Sequence, residues 1–180
     1  MDWSTFVPTL LATLLGVIVS ITLSLLVYWL RALLRNKRQK EETRQTLLQE
    51  LDANMKLLQE HIDGFGALHE QGRELSLELL SRLRTSAYEA AFQAGRVRLL
   101  GDVTLQRDLA SLVDEWRFFN VLVQRYEDTA IHVAVQLSQE RAPKLLSRWD
   151  DLVLNHAQDC LNKTVEVRER LETTKWRHSA

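Results

Sequence analysis

Residues 3–30 read WSTFVPTLLATLLGVIVSITLSLLVYWL and contain no charged side chain. As a helix rising 1.5 Å per residue, this run is about 42 Å long, which exceeds the roughly 30 Å hydrocarbon core of a bilayer. A cleaved signal peptide is disfavoured, because no basic residue precedes the run and no A-x-A pattern comes after it. We therefore predict a transmembrane helix within residues 1–34.

Basic residues on one side of this run predict its orientation. Only Asp2 precedes the run, whereas six basic side chains come after it: Arg31, Arg35, Lys37, Arg38, Lys40 and Arg44. The positive-inside rule then places the N-terminus outside and the remaining chain in the cytoplasm, as a single-pass protein of a bacterial inner membrane. The first five of these residues are predicted to contact lipid headgroups, and residues 35–46 are predicted to form a basic neck. The one cysteine, Cys160, suits a reducing compartment and is expected to be buried.

The charge of the remaining chain is mildly acidic. Residues 45–180 carry 17 basic and 21 acidic side chains, a net of −4, whereas residues 31–44 carry six basic and two acidic ones, a net of +4. This balance disfavours a nucleic-acid-binding domain that depends on bulk positive charge, without excluding nucleic acid altogether.

The part after the neck has the pattern of an all-α four-helix bundle, predicted over residues 47–180. Two prolines and six glycines in 180 residues suit long helices. A first soluble helix is predicted at 42–62, with Leu47, Leu51, Met55, Leu58 and Ile62 at helical spacing. The sequence Asp63-Gly-Phe-Gly66 is predicted to end it. A second helix is predicted at 74–94, and its inner face consists of Leu80, Leu83, Ala87, Ala90 and Ala94. Gly95 is expected after its end, and Asp102 is expected to cap the next helix.

The last two helices are predicted to form a long coiled-coil-like hairpin, in an up-and-down arrangement. Ten residues of the third helix step by four and three, and we call them the seam: Leu105, Leu109, Leu112, Trp116, Phe119, Val123, Tyr126, Ala130, Val133 and Leu137. The predicted inner face of the fourth helix, which runs to about Thr173, consists of Leu146, Trp149, Val153, His156, Cys160, Val167 and Leu171.

Small and hydroxyl-bearing residues share one face of the predicted membrane helix. This membrane face, which lies within an arc of about 80° at 100° per residue, consists of Thr9, Thr13, Gly16, Ser20 and Ser24. Small residues let helix backbones approach closely in lipid, so the pattern favours a homo-oligomer. Two alternatives stay open: the face lines a narrow polar pore in a ring of chains, or its hydroxyls bond their own helix carbonyls and face lipid.

Few residues have a pattern that indicates catalysis or metal binding. Arg125-Tyr-Glu-Asp-Thr-Ala-Ile-His132 resembles the R-x(4–6)-H pattern of the helical HEPN ribonuclease superfamily, which makes Arg125 and His132 a candidate catalytic pair. His156 and Cys160 are four residues apart, as metal ligands can be, but no second pair is evident, so we predict neither a metal site nor a cofactor. His61 and His69 are expected to be solvated. No phosphate loop, H-E-x-x-H, G-x-S-x-G or C-x-x-C occurs.

The layout resembles a broad set of uncharacterised bacterial membrane proteins. These have an N-terminal span, a basic neck and a helix similar to L-L-x-E-L-x-x-N, which is here Leu47 to Asn54. A later block similar to T-x-A-Y-E-A…G-x-x-x-L is here Thr85 to Leu99. The layout is also similar to small membrane accessory proteins of RNA-targeting CRISPR systems. That resemblance implies a HEPN-like domain, a ring with a pore and a role in antiviral defence.

These features lead to one preferred hypothesis and two rivals. The preferred one is an oligomeric membrane protein whose cytoplasmic bundle binds an unidentified protein or ligand and gates a small pore, as an antiviral-defence effector. The first rival is a membrane-tethered HEPN-like ribonuclease. The second is a monomeric anchor that presents a helical docking surface. Only the first rival is an enzyme, and the charge balance and the sparse motifs favour a protein that is not one.

Overall fold

The chain is all-α, as predicted. The structure, a computed structural model, describes residues 3–71, 81–136 and 142–173, and among these the side chains of 3–10, 12, 66–71, 133–136 and 142–145 lie outside the description. The described residues form α1 (Trp3–Gln71), α2 (Ser86–Gln93), a 3₁₀ helix (Arg96–Leu100), α3 (Val103–Gln136) and α4 (Ala142–Thr173), with no strand among them. The chain divides into two compact units, residues 1–41 and 42–180.

The first unit is the N-terminal part of α1. Among the described residues, α1 is the one helix long and apolar enough to cross a membrane. None of its apolar window is buried inside the chain, and every described side chain from Leu11 to Arg31 is exposed. The residues predicted as a neck, 35–46, are helical and belong to α1. The prediction of a membrane-spanning helix is thus supported by the length, composition and exposure of α1.

In the second unit, the predicted break at Asp63-Gly-Phe-Gly66 is wrong, because α1 extends to Gln71. A glycine inside a helix costs about 1 kcal/mol relative to alanine. That cost is offset by Phe65, which is buried and meets the ring of Tyr126 edge-on with centroids 6.0 Å apart. Burying a phenylalanine side chain contributes about 1.5–3 kcal/mol, which is enough to keep the helix intact across Gly64.

The second predicted helix is also largely wrong. Only Ser86–Gln93 is helical, and residues 81–85 carry no helix or strand. The first residues of the prediction, 74–80, lie outside the described residues. Tyr88 and Ala91 are the buried positions of α2, whereas Ala90 and Ala94, predicted to line its inner face, are exposed.

The connection from α2 to α3 agrees with the prediction. Gly95, with φ +66°, comes after the C-terminal end of α2, and the Gly95 amide donates to the carbonyl of Phe92 at 2.9 Å. A left-handed backbone of this kind favours glycine. At the start of α3, the Asp102 carboxylate accepts hydrogen bonds from the amides of Thr104 and Leu105, as an N-cap does.

The core of the second unit is built on the seam. Its first seven residues, Leu105 to Tyr126, are buried and Ala130 is half-buried, while Val133 and Leu137 lie outside the described side chains. Facing them on α4 are buried residues at the same four-and-three spacing: Val153, Ala157, Cys160, Thr164, Val167 and Leu171. One predicted inner-face position is therefore wrong. Ala157 is in the core, while His156 is half-buried at its edge.

Contacts across the seam show that α3 and α4 are antiparallel. The Trp116 indole donates to Thr164 Oγ1 at 3.2 Å, and Asp108, about two helix turns before Trp116, pairs with Arg170. Glu115 pairs with Lys163 at the edge of the seam. These ion pairs flank the apolar core as charged residues do in an antiparallel coiled coil, so the predicted hairpin is confirmed.

Arg44 ties the beginning of the second unit to the end of α4. Its guanidinium donates to the carbonyls of Leu171 at 3.1 Å and of Glu172 at 2.9 Å. The last carbonyls of a helix have no partner inside the helix, and a cation there is favoured by the helix dipole. Arg44 therefore has a structural role in this unit, in addition to its place in the predicted basic neck.

Candidate functional site

The backbone of residues 83–84 passes between α1 and α3, where two asparagines hold it. Asn54 Nδ2 donates to the Arg84 carbonyl at 2.7 Å, and Asn54 Oδ1 accepts from the Arg84 amide at 2.8 Å. Asn120 does the same for Leu83, at 2.9 Å and 2.8 Å. Each amide side chain thus supplies the donor and the acceptor that a neighbouring strand would supply.

A carboxylate of α1 caps the helix that comes after this segment. The buried side chain of Glu50 accepts from the amide of Ala87 at 2.6 Å and of Tyr88 at 3.2 Å, and from the Ser86 hydroxyl at 3.3 Å. These are the first groups of α2, whose amides have no partner inside the helix. Glu50 and Asn54 lie in the block similar to L-L-x-E-L-x-x-N, and Ser86 to Tyr88 lie in the second block. The two sequence blocks that carry the resemblance to bacterial membrane proteins therefore contact each other, which gives them a structural role.

His61 lies on the same face of α1 as Glu50 and Asn54 and is buried. The prediction that it is solvated is therefore wrong. Its Nε2 lies 2.8 Å from the Ser81 carbonyl, and the residue is 3% exposed. Because a carbonyl can only accept a hydrogen bond, Nε2 carries the proton. In the neutral ring Nδ1 is then unprotonated. Burial lowers the pKa of His61, and the bond to Ser81 offsets only part of that effect. His69, the other histidine of this prediction, lies outside the described side chains.

The lowered pKa of His61 predicts a loss of stability in acid. In the unfolded chain the imidazole titrates near 6.5. Below that pH the unfolded chain binds more protons than the folded one, so the free energy of unfolding should fall as the pH drops from about 7 toward 5. Urea unfolding of wild type and His61→Gln at several pH values would measure this slope. Glutamine retains an N–H donor but does not titrate, so an equal slope in both proteins would contradict the assignment.

Arg125 and His132, the candidate catalytic pair, are both exposed on α3. They are seven residues apart and so share a helix face, while Tyr126 beside Arg125 is buried in the seam. This placement leaves both side chains accessible to a ligand or to another chain.

The predicted membrane face lies on the surface of α1. Thr13, Gly16, Ser20 and Ser24 are exposed, and a Cβ added at Gly16 would meet no atom within 4 Å. Thr9 lies outside the described side chains. Of the predicted headgroup residues, Arg31, Arg35, Lys37 and Arg38 are exposed and Lys40 is half-buried. The structure thus leaves the small face of α1 open to other chains or to lipid.

A second accessible surface lies along one edge of the α3–α4 hairpin, and we call it the hairpin edge. It is defined by the exposed apolar side chains Phe118 and Leu152, with His156 and Glu115 beside them. Phe118 meets the ring of His156 edge-on with centroids 5.0 Å apart. His156 Nε2 is 3.6 Å from Glu115 Oε2, and Glu115 Oε1 is 2.5 Å from the Lys163 ammonium.

Cys160 lies directly beneath the hairpin edge. It is buried as predicted, and its thiol, His156 and Glu115 offer donor atoms within 4.8 Å of one another. Burial, assisted by the charge of Glu115, raises the pKa of the Cys160 thiol to about 12. The thiol is therefore protonated at neutral pH, which makes Cys160 a poor nucleophile. Sequence spacing pointed to His156 and Cys160 but could not add Glu115, which comes from another helix.

Comparison with known proteins adds no relative to this picture. No protein-family model matches the chain. Searches of curated proteins and of solved structures gave no match either. Function must therefore be inferred from the chain's own surfaces.

Proposed function

We propose that this chain is an oligomeric membrane protein with its N-terminus outside, its second unit in the cytoplasm, and a partner-binding surface on that unit. The observation that carries the proposal is the complete exposure of the apolar window of α1 within the chain. Such a surface is far larger than the apolar patches that soluble monomers tolerate, so lipid or other chains must cover it. The basic residues from Arg31 to Lys40 favour a cytoplasmic location for the second unit.

The two sides of α1 suit different neighbours. Large apolar residues such as Ile18 suit lipid tails, whereas Gly16 and Ser20 allow a second helix to come close. Lipid provides no hydrophobic drive for helices to associate, so close packing and hydroxyl bonds must supply it. A ring of chains joined in this way would direct the hydroxyls of the membrane face around a narrow polar pore. A gated pore of this kind would suit a role as an antiviral-defence effector.

The hairpin edge is the surface proposed to bind a cytoplasmic partner. Phe118 and Leu152 are each about half exposed, on neighbouring antiparallel helices. Aromatic and aliphatic side chains clustered at a surface and bordered by charged groups are typical of protein interfaces. Here the bordering charges are those of Glu115 and Lys163.

The assembly part of the proposal predicts that Gly16→Leu separates the chains. The added leucine side chain prevents the backbones of two helices from approaching closely. The helix remains apolar over this stretch, so it still inserts into the membrane. Crosslinking in native membranes should show a ladder of oligomers for wild type and a reduced ladder for Gly16→Leu. Ile18→Leu is the matched control, because it introduces the same residue on the opposite side of the helix and should leave the ladder unchanged.

The test should be made on the full chain and on a shortened chain ending at Arg44, because the hairpin could also hold chains together. An unchanged ladder for Gly16→Leu in the shortened chain would show that this face is not the interface. Wild-type chains that never crosslink would favour the monomeric anchor.

The membrane-tethered nuclease is supported by one observation, the shared and exposed face of Arg125 and His132. In a protein that acts by assembly, His132→Ala should leave cellular function intact. Loss of function by a folded and inserted His132→Ala protein would favour the nuclease.

A further inference from the structure

Three side chains that commonly bind metals meet at the hairpin edge. His156 and Cys160 are one turn apart on α4, and Glu115 reaches them from α3. One donor atom from each lies within 4.8 Å of the other two. Tetrahedral zinc, with bonds of 2.0–2.3 Å, requires its ligand atoms to be about 3.3–3.8 Å apart. The Glu115–His156 distance of 3.6 Å already falls in that range, and small side-chain rotations would close the remaining separations.

Two independent observations indicate that this place suits a cation. His156 Nε2 is buried and has no hydrogen-bond partner among the described residues, although a buried ring nitrogen normally has one. The second observation is the Lys163 ammonium, which lies 2.5 Å from Glu115 Oε1. The ammonium contacts Oε1, whereas Oε2 faces His156 Nε2 at 3.6 Å, so the carboxylate already attracts one cation and directs its other oxygen toward the cluster.

We propose that Glu115, His156 and Cys160 form a binding site for a divalent transition-metal ion of the zinc type. Thiolate, imidazole and carboxylate are the three donor types that zinc takes in proteins, and three protein ligands leave a fourth position for water. The side chains of His156 and Glu115 are 20% and 29% exposed, so solvent can reach that position. The ion would join α3 to α4 and therefore stabilise the second unit.

Binding exchanges protons and ligands in a balanced way. The Cys160 thiol releases its proton to solvent as the metal–sulfur bond forms. The hydrated ion gives up five of its six waters, three side chains take their place, and one water stays in the fourth position. Lys163 leaves Glu115 and turns into solvent, which its half-exposed side chain allows. No electron is transferred, so no oxidant or reductant is needed.

The surroundings of the site hold the imidazole of His156 in place. The ring of Phe118 lies edge-on to His156, and the ring of Phe119 stacks on it at 6.4 Å with an interplanar angle of 14°. The backbone carbonyl of Cys160 accepts a hydrogen bond from Thr164 at 2.6 Å. The two aromatic rings therefore limit how far the imidazole must turn on binding, whereas the Thr164 bond fixes only the backbone of Cys160.

Cobalt(II) is the probe that tests the site most directly. Added to the metal-free full-length protein in detergent micelles, it should give the near-ultraviolet absorption band of a cobalt–thiolate bond. Cys160 is the only cysteine of the chain, so such a band can arise from no other residue. Cys160→Ser should abolish the band, and His156→Ala or Glu115→Gln should weaken cobalt binding by about tenfold or more.

Two further variants distinguish a metal-binding site from three side chains that lie close together without binding a metal. Lys163→Met removes the competing ammonium and should tighten cobalt binding, whereas the control His132→Ala should leave it unchanged. Circular dichroism would confirm that each variant is folded. Absence of the band from both the wild type and Lys163→Met would overturn the proposal. Cobalt binding by Glu115→Gln or His156→Ala as tight as that of wild type would overturn it as well.

Discussion

Truncation of Trp116 to alanine is expected to lower the free energy of unfolding of the second unit by about 3–5 kcal/mol. Trp116 is 2% exposed, lies at the centre of the seam and donates its indole N–H to Thr164. The variant loses the buried area and the hydrogen bond, and leaves a cavity between two long helices that cannot easily collapse. Urea unfolding of the full chain in micelles, followed by circular dichroism, would measure the loss.

Phe118 provides the matched control for this prediction. It is an aromatic residue of the same helix, two positions away, but 55% exposed. Phe118→Ala should therefore cost less than about 1 kcal/mol. Similar losses for both variants would mean that the seam is not the core of the unit.

Removing the side-chain amide of Asn54 is expected to cost about 2–5 kcal/mol, the second large effect, since each unsatisfied buried group costs about 1–3 kcal/mol. Asn54 is completely buried and satisfies both the amide and the carbonyl of Arg84. In Asn54→Ala both backbone groups lose their partner. The same unfolding measurement would detect the change, and the segment at residues 81–85 should become more susceptible to proteolysis near Arg84.

The matched control lies on the same helix. Gln59 is exposed and bonds Asp63, one turn away, so Gln59→Ala should change stability by less than about 0.5 kcal/mol. Asn54→Asp adds a second comparison, because it keeps the acceptor for the Arg84 amide but places an oxygen against the Arg84 carbonyl. If Asn54→Asp were as stable as wild type, the bond to that carbonyl would contribute little.

The seam was predictable because its information is local. Apolar residues from Leu105 to Tyr126 repeat every three or four positions, and that spacing alone places them on one side of a helix. Such a long face needs other helices to bury it, and both α1 and α4 contact it, through Phe65 against Tyr126 and Thr164 against Trp116. Gly95 and Asp102 were predictable for the same reason, because a turn glycine and a helix cap act within a few residues.

The contacts that hold residues 81–88 in place were not predictable from spacing. Glu50, Asn54 and Asn120 act on backbone groups that are 30 to 38 positions away in sequence. A helical pattern through Leu83 and Ala87 suggested a longer second helix, but the three side chains offer the backbone other partners. Glu50 and Asn54, four residues apart on the helix face that also carries Leu47, Leu51 and Leu58, were the available signal, because buried polar groups must find partners in the core.

The candidate metal site was likewise predictable only in part from the sequence. His156 and Cys160 are four residues apart and were recognisable as a pair, while Glu115 joins them only through the register of the hairpin. Sequence patterns placed His156 in the core, and the structure shifts it to the edge because the repeat of four and three selects Ala157 instead. That shift is what leaves the imidazole accessible beside Glu115.

Membrane topology tests the central claim most directly. A reporter active only in the cytoplasm and a phosphatase active only in the periplasm would be fused, in separate proteins, after Ala180 of the full chain. We expect both fusions in the membrane fraction, with the cytoplasmic reporter active and the phosphatase inactive. Phosphatase activity, or a fusion that remains soluble and intact, would contradict a single-pass protein with its second unit in the cytoplasm.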